Sequence, residues 1–265
     1  MQLAKIVRTI APVLVLAGCA HSEYDPYHDS GIFWVKDAAE YQAVSMQIYA
    51  QATADIATFV ADSSWSAMPD QAVDPLLPPA IILDIDQTML NGAEFQLIYE
   101  RPYSNEKRDA WGREHAATAV PGAVEFVKAA RAAGVETFFV TNRPCEKRAG
   151  NPDPCPQFQT AVDDLREIGI EVNTDQVSLS GQQSDWDREK LVRRKLIAES
   201  YRVIMLVGDD LSDFVPCART KVMATCETPT TAESRNAAMR KYQHYWGHGW
   251  YILPNPMHGS WTSVL

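Results

Sequence analysis

Ala80-Ile81-Ile82-Leu83-Asp84-Ile85-Asp86-Gln87-Thr88-Met89-Leu90 is the stretch whose reading decides the fold. Ile81 to Ile85 is short and β-branched, which predicts a buried parallel strand rather than a helix. Side chains alternate along a strand, so Asp84 and Asp86 fall on the same side at its carboxyl end. Open α/β sheets place their chemistry at that end. Two adjacent like charges are unfavourable unless a cation or a proton separates them. A strand closing in a polar turn gives the same short pattern, so the surrounding chain has to decide.

The pattern recurs downstream. Val203 to Val207 reads as a second buried strand and runs into Gly208-Asp209-Asp210-Leu211-Ser212-Asp213. Val135 to Val140 reads as a strand ending in Thr141-Asn142-Arg143, and Gln176 to Leu179 and Trp250 to Leu253 as short strands. Helical periodicity lies between them. Pro121-Gly122 opens a helix that Gly134 ends, Phe158 to Ile168 forms another, and Asp187 to Ser200 a strongly charged third. In that third helix, Lys190, Arg193, Arg194 and Lys195 predict a mainly solvated face, with one or two cations reaching a site. Strands alternating with helices imply an α/β fold with a parallel sheet. Upstream, Trp34 to Val60 carries apolar residues at three- and four-residue spacings and reads as one long helix. The segment from Asn91 to Ala119 reads as a small cap, with Phe95, Tyr99, Tyr103 and Trp111 either stacking on a flat ligand or holding the cap together.

The 265 residues suit one large domain or a domain with an insert, and 46 % apolar against 22 % charged residues is an ordinary globular balance. Met1 to Cys19 has a basic start at Lys5 and Arg8 and an apolar run from Ile10 to Ala17 that is too short to span a bilayer. Without it, 22 basic face 34 acidic side chains, a charge near −12 that argues against nucleic acid as a partner. The leader closes in Leu16-Ala17-Gly18-Cys19, which resembles a bacterial lipobox and implies cleavage before Cys19 and lipid attachment there. The expected organisation is a signal peptide over 1–18, a tether over 19–31, and one domain over 32–265 whose cap comes from 32–75 and 91–119. The expected location is the cell envelope, lipid-anchored, at the outer membrane facing the periplasm.

Strand-Asp-Ile-Asp-Gln-Thr, strand-Thr-Asn-Arg, a helix with Lys190 and strand-Gly-Asp-Asp-Leu-Ser-Asp occur in that order. In this the chain resembles the haloacid dehalogenase (HAD) superfamily, and more closely its class C bacterial lipoprotein acid phosphatases and 5'-nucleotidases. Ala119 to Phe126 and Ile252-Leu253-Pro254-Asn255-Pro256 look like further segments of that group. The resemblance implies a HAD-like, Rossmannoid parallel sheet flanked by helices with a small, largely helical cap. It implies hydrolysis of small phosphomonoesters, nucleoside 5'-monophosphates among them, with Asp84 as nucleophile and Asp86 as proton donor and later base. Thr141 and Lys190 would hold phosphate oxygens, and Mg²⁺ would sit among Asp84, the backbone carbonyl of Asp86 and Asp209, with Asp213 in support. Asn142, Trp111 and Phe95 are the expected substrate contacts. An oxygen-only carboxylate set suits a hard cation, and the scheme needs Asp84 ionised while Asp86 holds a proton. Two positions depart from the family pattern: Asp210 replaces a common asparagine, and His258 a usual tyrosine.

An exported chain meets an oxidising compartment. Among three connectivities for the cysteines after Cys19, the sequence-local one, Cys145–Cys155 and Cys217–Cys226, is expected because each pair brackets a loop after an active-site strand. The intact set of Asp84, Asp86, Lys190 and Asp209 argues against a binding lipoprotein of this fold without turnover, whereas phosphoryl transfer to another alcohol fits the same residues as hydrolysis does. Oligomeric state is not legible. The lipobox reading has a direct check: metabolic labelling with palmitate should mark the protein, and Cys19→Ser should abolish the label.

Overall fold

Ala80 to Leu83 are buried, as a strand covered on both faces requires. The computed structural model describes residues 26–98, 103–219, 226 and 228–265, so the leader, Cys19 and Tyr99 lie outside the described residues. From β1 (Pro79–Leu83) the chain passes through a short antiparallel ladder of β2 (Leu90–Asn91) and β3 (Thr118–Ala119). It then forms β4 (Glu136–Pro144), β5 (Val177–Ser180), β6 (Arg202–Gly208) and β7 (Trp250–Ile252). The main sheet has the order β5-β4-β1-β6-β7, with all neighbours parallel. The chain winds outward from β1 to β5, then returns to the other side of β1 for β6. The direction of winding therefore reverses between β1 and β6, the place where such sheets open a crevice at their carboxyl ends.

Eight described α-helices surround the sheet: α1 (Pro26–Asp37), α2 (Ala39–Ala61), α3 (Ala93–Ile98), α4 (Asn105–Arg113), α5 (Ala123–Ala132), α6 (Pro156–Glu167), α7 (Leu191–Ala198) and α8 (Ala232–Lys241). Alternation along β1 divides the core. Ile81 and Leu83 join Tyr49 and Ile56 of α2, Phe126 of α5 and Leu165 of α6 in one cluster. Ala80 and Ile82 face Leu206, Phe214 and Trp250, with Ile197 of α7 and Ala238 of α8 against them. Gly122 at the start of α5 has φ 91°, and a Cβ there would stand 3.0 Å from the Tyr49 side chain, so glycine lets α2 and α5 pack closely.

Three expectations change. The single helix over Trp34 to Val60 is two, broken at Ala38 (ψ 132°), because α1 turns to pack on α3 and tertiary contact overrides alanine's helical preference. α1 begins at Pro26, so the second half of the expected tether is helical. Within the stretch 32–75 expected as cap, α2 packs on α5 and β7 in the layer beside the sheet. The insert between β2 and β3, with α3 and α4, stands over the strand ends. No described helix is long and apolar enough to cross a membrane.

Arg202, at the start of β6, is 3 % exposed and donates to the carbonyls of Phe59, Val60, Asp62 and Trp65. These lie at and just beyond the C-terminus of α2, where carbonyls lack helical partners and a cation is favoured. Arg202→Leu strands those acceptors and should destabilise the protein by about 2–4 kcal/mol. A lower denaturant midpoint at unchanged slope is the expected result.

Candidate active site

Each sheet strand that reaches the crevice ends in a polar side chain. Asp84 follows β1, Thr141 lies near the end of β4, Asp209 follows β6, and Asn255 comes three residues after β7. Asp84, Asp209 and Asp213 each offer an oxygen within 4.8 Å of the others. Lys190, 3 % exposed, donates to Asp84 Oδ1 and, at 2.6 Å, approaches Asp213 Oδ1. One lysine for three carboxylates leaves the cluster short of positive charge. Burial, only partly offset by Lys190, pushes Asp84 up to about 7, and Asp213 and Asp86 add to the rise. Burial, then Asp84, Asp213 and Asp210, push Asp209 well above the usual carboxylate range. An oxygen-only set with unbalanced charge fits a divalent cation.

The four carboxylates have different neighbours. Asp209 is steered by Thr88 Oγ1 at 3.2 Å and Asn255 Nδ2 at 2.7 Å. Asp213 Oδ2 accepts the backbone N–H groups of Asp209 (3.1 Å) and Asp210 (3.0 Å), so it shapes the loop while Oδ1 takes Lys190. That approach demands a glycine before Asp209, because a Cβ on Gly208 would collide with the Asp213 carboxylate. Asp210, expected to add charge beside the metal, turns elsewhere. Its oxygens accept from the backbone N–H groups of Ser212 and Ser260 and from the Ser260 hydroxyl, and these contacts, with the charge of Arg219, outweigh burial and hold it at about 2.

Asp86 departs most from expectation. Arg143 grips it in a fork, Nε to Oδ2 and Nη2 to Oδ1, both at 2.8 Å, and Arg108 reaches Oδ1 at 2.7 Å. Burial works to raise its pKa, but the two guanidinium groups hold it well below the usual carboxylate range. In the free protein the expected ordering is thus reversed: Asp86 is ionised, and Asp84 is the carboxylate pushed upward. Arg143 is itself anchored by Asp164 of α6 at 2.6 Å.

Thr141 Oγ1 accepts the Arg143 N–H at 3.1 Å, which leaves its hydroxyl proton free to donate. Asn142 Oδ1 accepts from Arg193, so its amide N–H groups remain as donors. Of the basic run from 190 to 195, Lys195 is exposed as expected, but Lys190, Arg193 and Arg194 are buried. Arg193 and Arg194 are each 1 % exposed; Arg193 donates to the Thr141 carbonyl, and Arg194 to those of Ser212, Asp213 and Phe214. Together they lash the end of β4 and the loop after β6 to α7.

The residues enclose a cavity of about 470 Å³, within the range of small-molecule sites. Phe95 and Trp111 are in its wall, each 2 % exposed, with ring centres 5.6 Å apart. The Arg108 guanidinium lies 5.0 Å from the Trp111 ring centre and 5.6 Å from that of Phe95. These contacts cover the faces that stacking on a ligand would need, and Tyr103, 55 % exposed, is the aromatic with open surface. His258, in place of the tyrosine, also lines the cavity. Both expected disulfides are present, with Cα atoms 4.7 Å apart for Cys145–Cys155 and 5.5 Å for Cys217–Cys226.

A family profile described as HAD superfamily, subfamily IIIB (Acid phosphatase) matches residues 28–261. The chain belongs to this acid phosphatase family. The phosphatase also shares its fold with the class C acid phosphatase from Bacillus anthracis, at TM-score 0.69 and 23 % identity over 88 % of this chain and 86 % of that one. The structure of that protein with tungstate bound matches to the same degree. Arg108, Arg143, Asn255 and the gripping of Asp86 are site features of the phosphatase that sequence reading left unassigned. Arg143 stood in the Thr-Asn-Arg segment after a strand, and Arg108 three residues before Trp111 on one helix face, the spacing at which side chains meet.

Without a cation, Asp84 and Asp209 take up protons at higher pH than unfolded carboxylates, which titrate near ~4. A raised carboxylate contributes stability that is complete below the unfolded value and is lost as pH rises through the folded one. The chelated phosphatase should therefore lose the Asp84 contribution between about pH 4 and pH 7, and that of Asp209 as pH rises through its own raised value. Above that window a divalent cation no longer competes with protons. The rise in Tm on adding magnesium chloride should be larger at about pH 7.5 than at about pH 5, and an equal rise at both would contradict the cluster's role.

Proposed function

We propose that the chain is a Mg²⁺-dependent phosphomonoesterase acting through an aspartyl-phosphate on Asp84, with nucleoside 5'-monophosphates among its substrates. The observation that carries this reading is the convergence of Asp84, Asp86, Thr141, Lys190 and Asp209 on one cavity at the point where the sheet reverses its winding. The alternative of a binding protein without turnover has no use for that complete set.

Asp84 and Asp209 would hold the cation, with the backbone carbonyl of Asp86, while Asp213 braces their loop and Lys190. When bound, Mg²⁺ supplies positive charge that offsets the transferring phosphoryl oxygens. With that charge offsetting its burial, Asp84 would be ionised and nucleophilic. Lys190, the Thr141 hydroxyl and the Asn142 amide supply donors to the phosphate oxygens. Attack by Asp84 Oδ on phosphorus expels the alcohol, and a water then attacks the aspartyl-phosphate. An ionised Asp86 is ready to accept the proton of that water. To protonate the leaving alcohol first, Asp86 must be loosened from its arginines, and the dianionic phosphate is the natural competitor for Arg108 and Arg143. A nucleobase would find open aromatic surface on Tyr103 rather than on Trp111. The lipidated Cys19 would keep the enzyme at the cell envelope.

Asp86→Asn separates the roles. The nucleophile stays, but the leaving alcohol loses its proton donor, a loss of about 10²–10⁴-fold for alkyl esters. An aryl phosphate, whose leaving group needs little protonation, should be partly spared. Equal losses on both substrates would take Asp86 out of the acid role.

A further inference from the structure

Two arginines in the cavity wall have no part in the scheme above. Arg188 precedes Lys190 by two residues, and Arg219 lies in the loop closed by the Cys217–Cys226 bridge. Neither makes a hydrogen bond or ion pair with a described residue, and Arg219 Nε is buried without a partner. This is unexpected in a chain with ten more acidic than basic side chains. Asp210, ionised and within electrostatic reach of both, takes its hydrogen bonds from Ser212 and Ser260 and from neither arginine. Two guanidinium groups in the wall of one cavity whose donors meet no described acceptor leave those donors to an anion.

The scissile end is held by other cations, Lys190 on Asp84 and Arg108 with Arg143 on Asp86. Tyr103 and His258 line the same cavity as Arg188 and Arg219. A substrate with its ester phosphate at Asp84 and its body against Tyr103 would leave Arg188 and Arg219 to a second anionic group in that cavity.

We propose that Arg188 and Arg219 form a second anion subsite, and that the enzyme's preferred substrates are phosphomonoesters carrying a further phosphate remote from the ester that is cleaved, such as nucleoside bisphosphates. The inference rests on the phosphatase reading of the Asp84 end and deepens it. Guanidinium forks match phosphate oxygens in pairs, which the compact ammonium of lysine does not. Asp213 is turned to the cation cluster and Asp210 to Ser260, so neither takes up the donors of Arg188 or Arg219.

The test compares kcat/KM for adenosine 3',5'-bisphosphate with that for adenosine 5'-monophosphate, and for glucose 1,6-bisphosphate with glucose 6-phosphate. It is run with Mg²⁺ at about 0.5 M salt, where attraction at long range is screened. The native enzyme should favour the bisphosphate of at least one pair by about tenfold or more, the scale of one charge-assisted contact. Arg188→Ala and Arg219→Ala should each bring that ratio close to one. Arg188→Lys and Arg219→Lys, which keep the charge and lose the fork, should give intermediate ratios and serve if a truncation fails to fold. A native ratio near one for both pairs, or a ratio that survives both alanine substitutions, overturns the subsite. If neither bisphosphates nor monophosphates are hydrolysed, the phosphatase reading falls and takes the subsite with it. Turnover of monophosphates with no preference removes the subsite alone.

Discussion

Three carboxylates, buried Asp84 and Asp213 and half-buried Asp209, share one small volume with one lysine, and this crowding organises the site. Each charge would be costly in isolation. Together they persist because the two central strands end side by side and because Lys190 and a bound cation divide them. Asp84 belongs to β1 and Asp209 to β6, neighbours between which the winding of the sheet reverses. The topology creates the crevice, and the residues just past each strand make it acidic. Gly208 gives Asp213 the space to turn back on the loop, and Asp213 in turn fixes the backbone of Asp209.

A second set of charges works without touching substrate. Arg193 and Arg194 are as buried as the apolar core, yet their donors meet backbone carbonyls at the end of β4 and in the loop after β6. Each of these segments carries groups that must be held within a fraction of an ångström for catalysis. Anchoring both to α7 couples the position of Lys190, just before that helix, to Thr141 and to Asp213. Arg143 extends the network by linking Asp86 to Asp164 of α6. The site is thus built on the sheet and tied to helices on both of its faces.

The strand ends were legible because their signals are local: an apolar run and then an acid. Asp84, Asp86, Thr141, Lys190 and Asp209 all line the cavity, and both disulfide pairings hold. What sequence patterning missed depends on who faces whom. The run Arg193-Arg194-Lys195 looks like a charged surface until folding brings two loops of unpaired carbonyls against it. Helix α8 has no buried residue and so no apolar stripe to read; only Thr231 with Ser234 at its start marked it. The break at Ala38 is invisible to propensity, since it is imposed by packing of α1 on α3. Trp111 was legible as an aromatic near the site, but its cover by Arg108 and Phe95 is a three-dimensional fact.

The central claim is that Asp84 attacks phosphorus. Its most direct test is the stereochemical course at phosphorus with a chiral, isotopically labelled phosphomonoester, with the product trapped by an acceptor alcohol if hydrolysis erases the label. Attack by Asp84 followed by attack of water or alcohol makes two in-line displacements, and each inverts the centre. Net retention is the predicted result. Net inversion would mean a single displacement by an activated water, with Asp84 serving only to hold the cation.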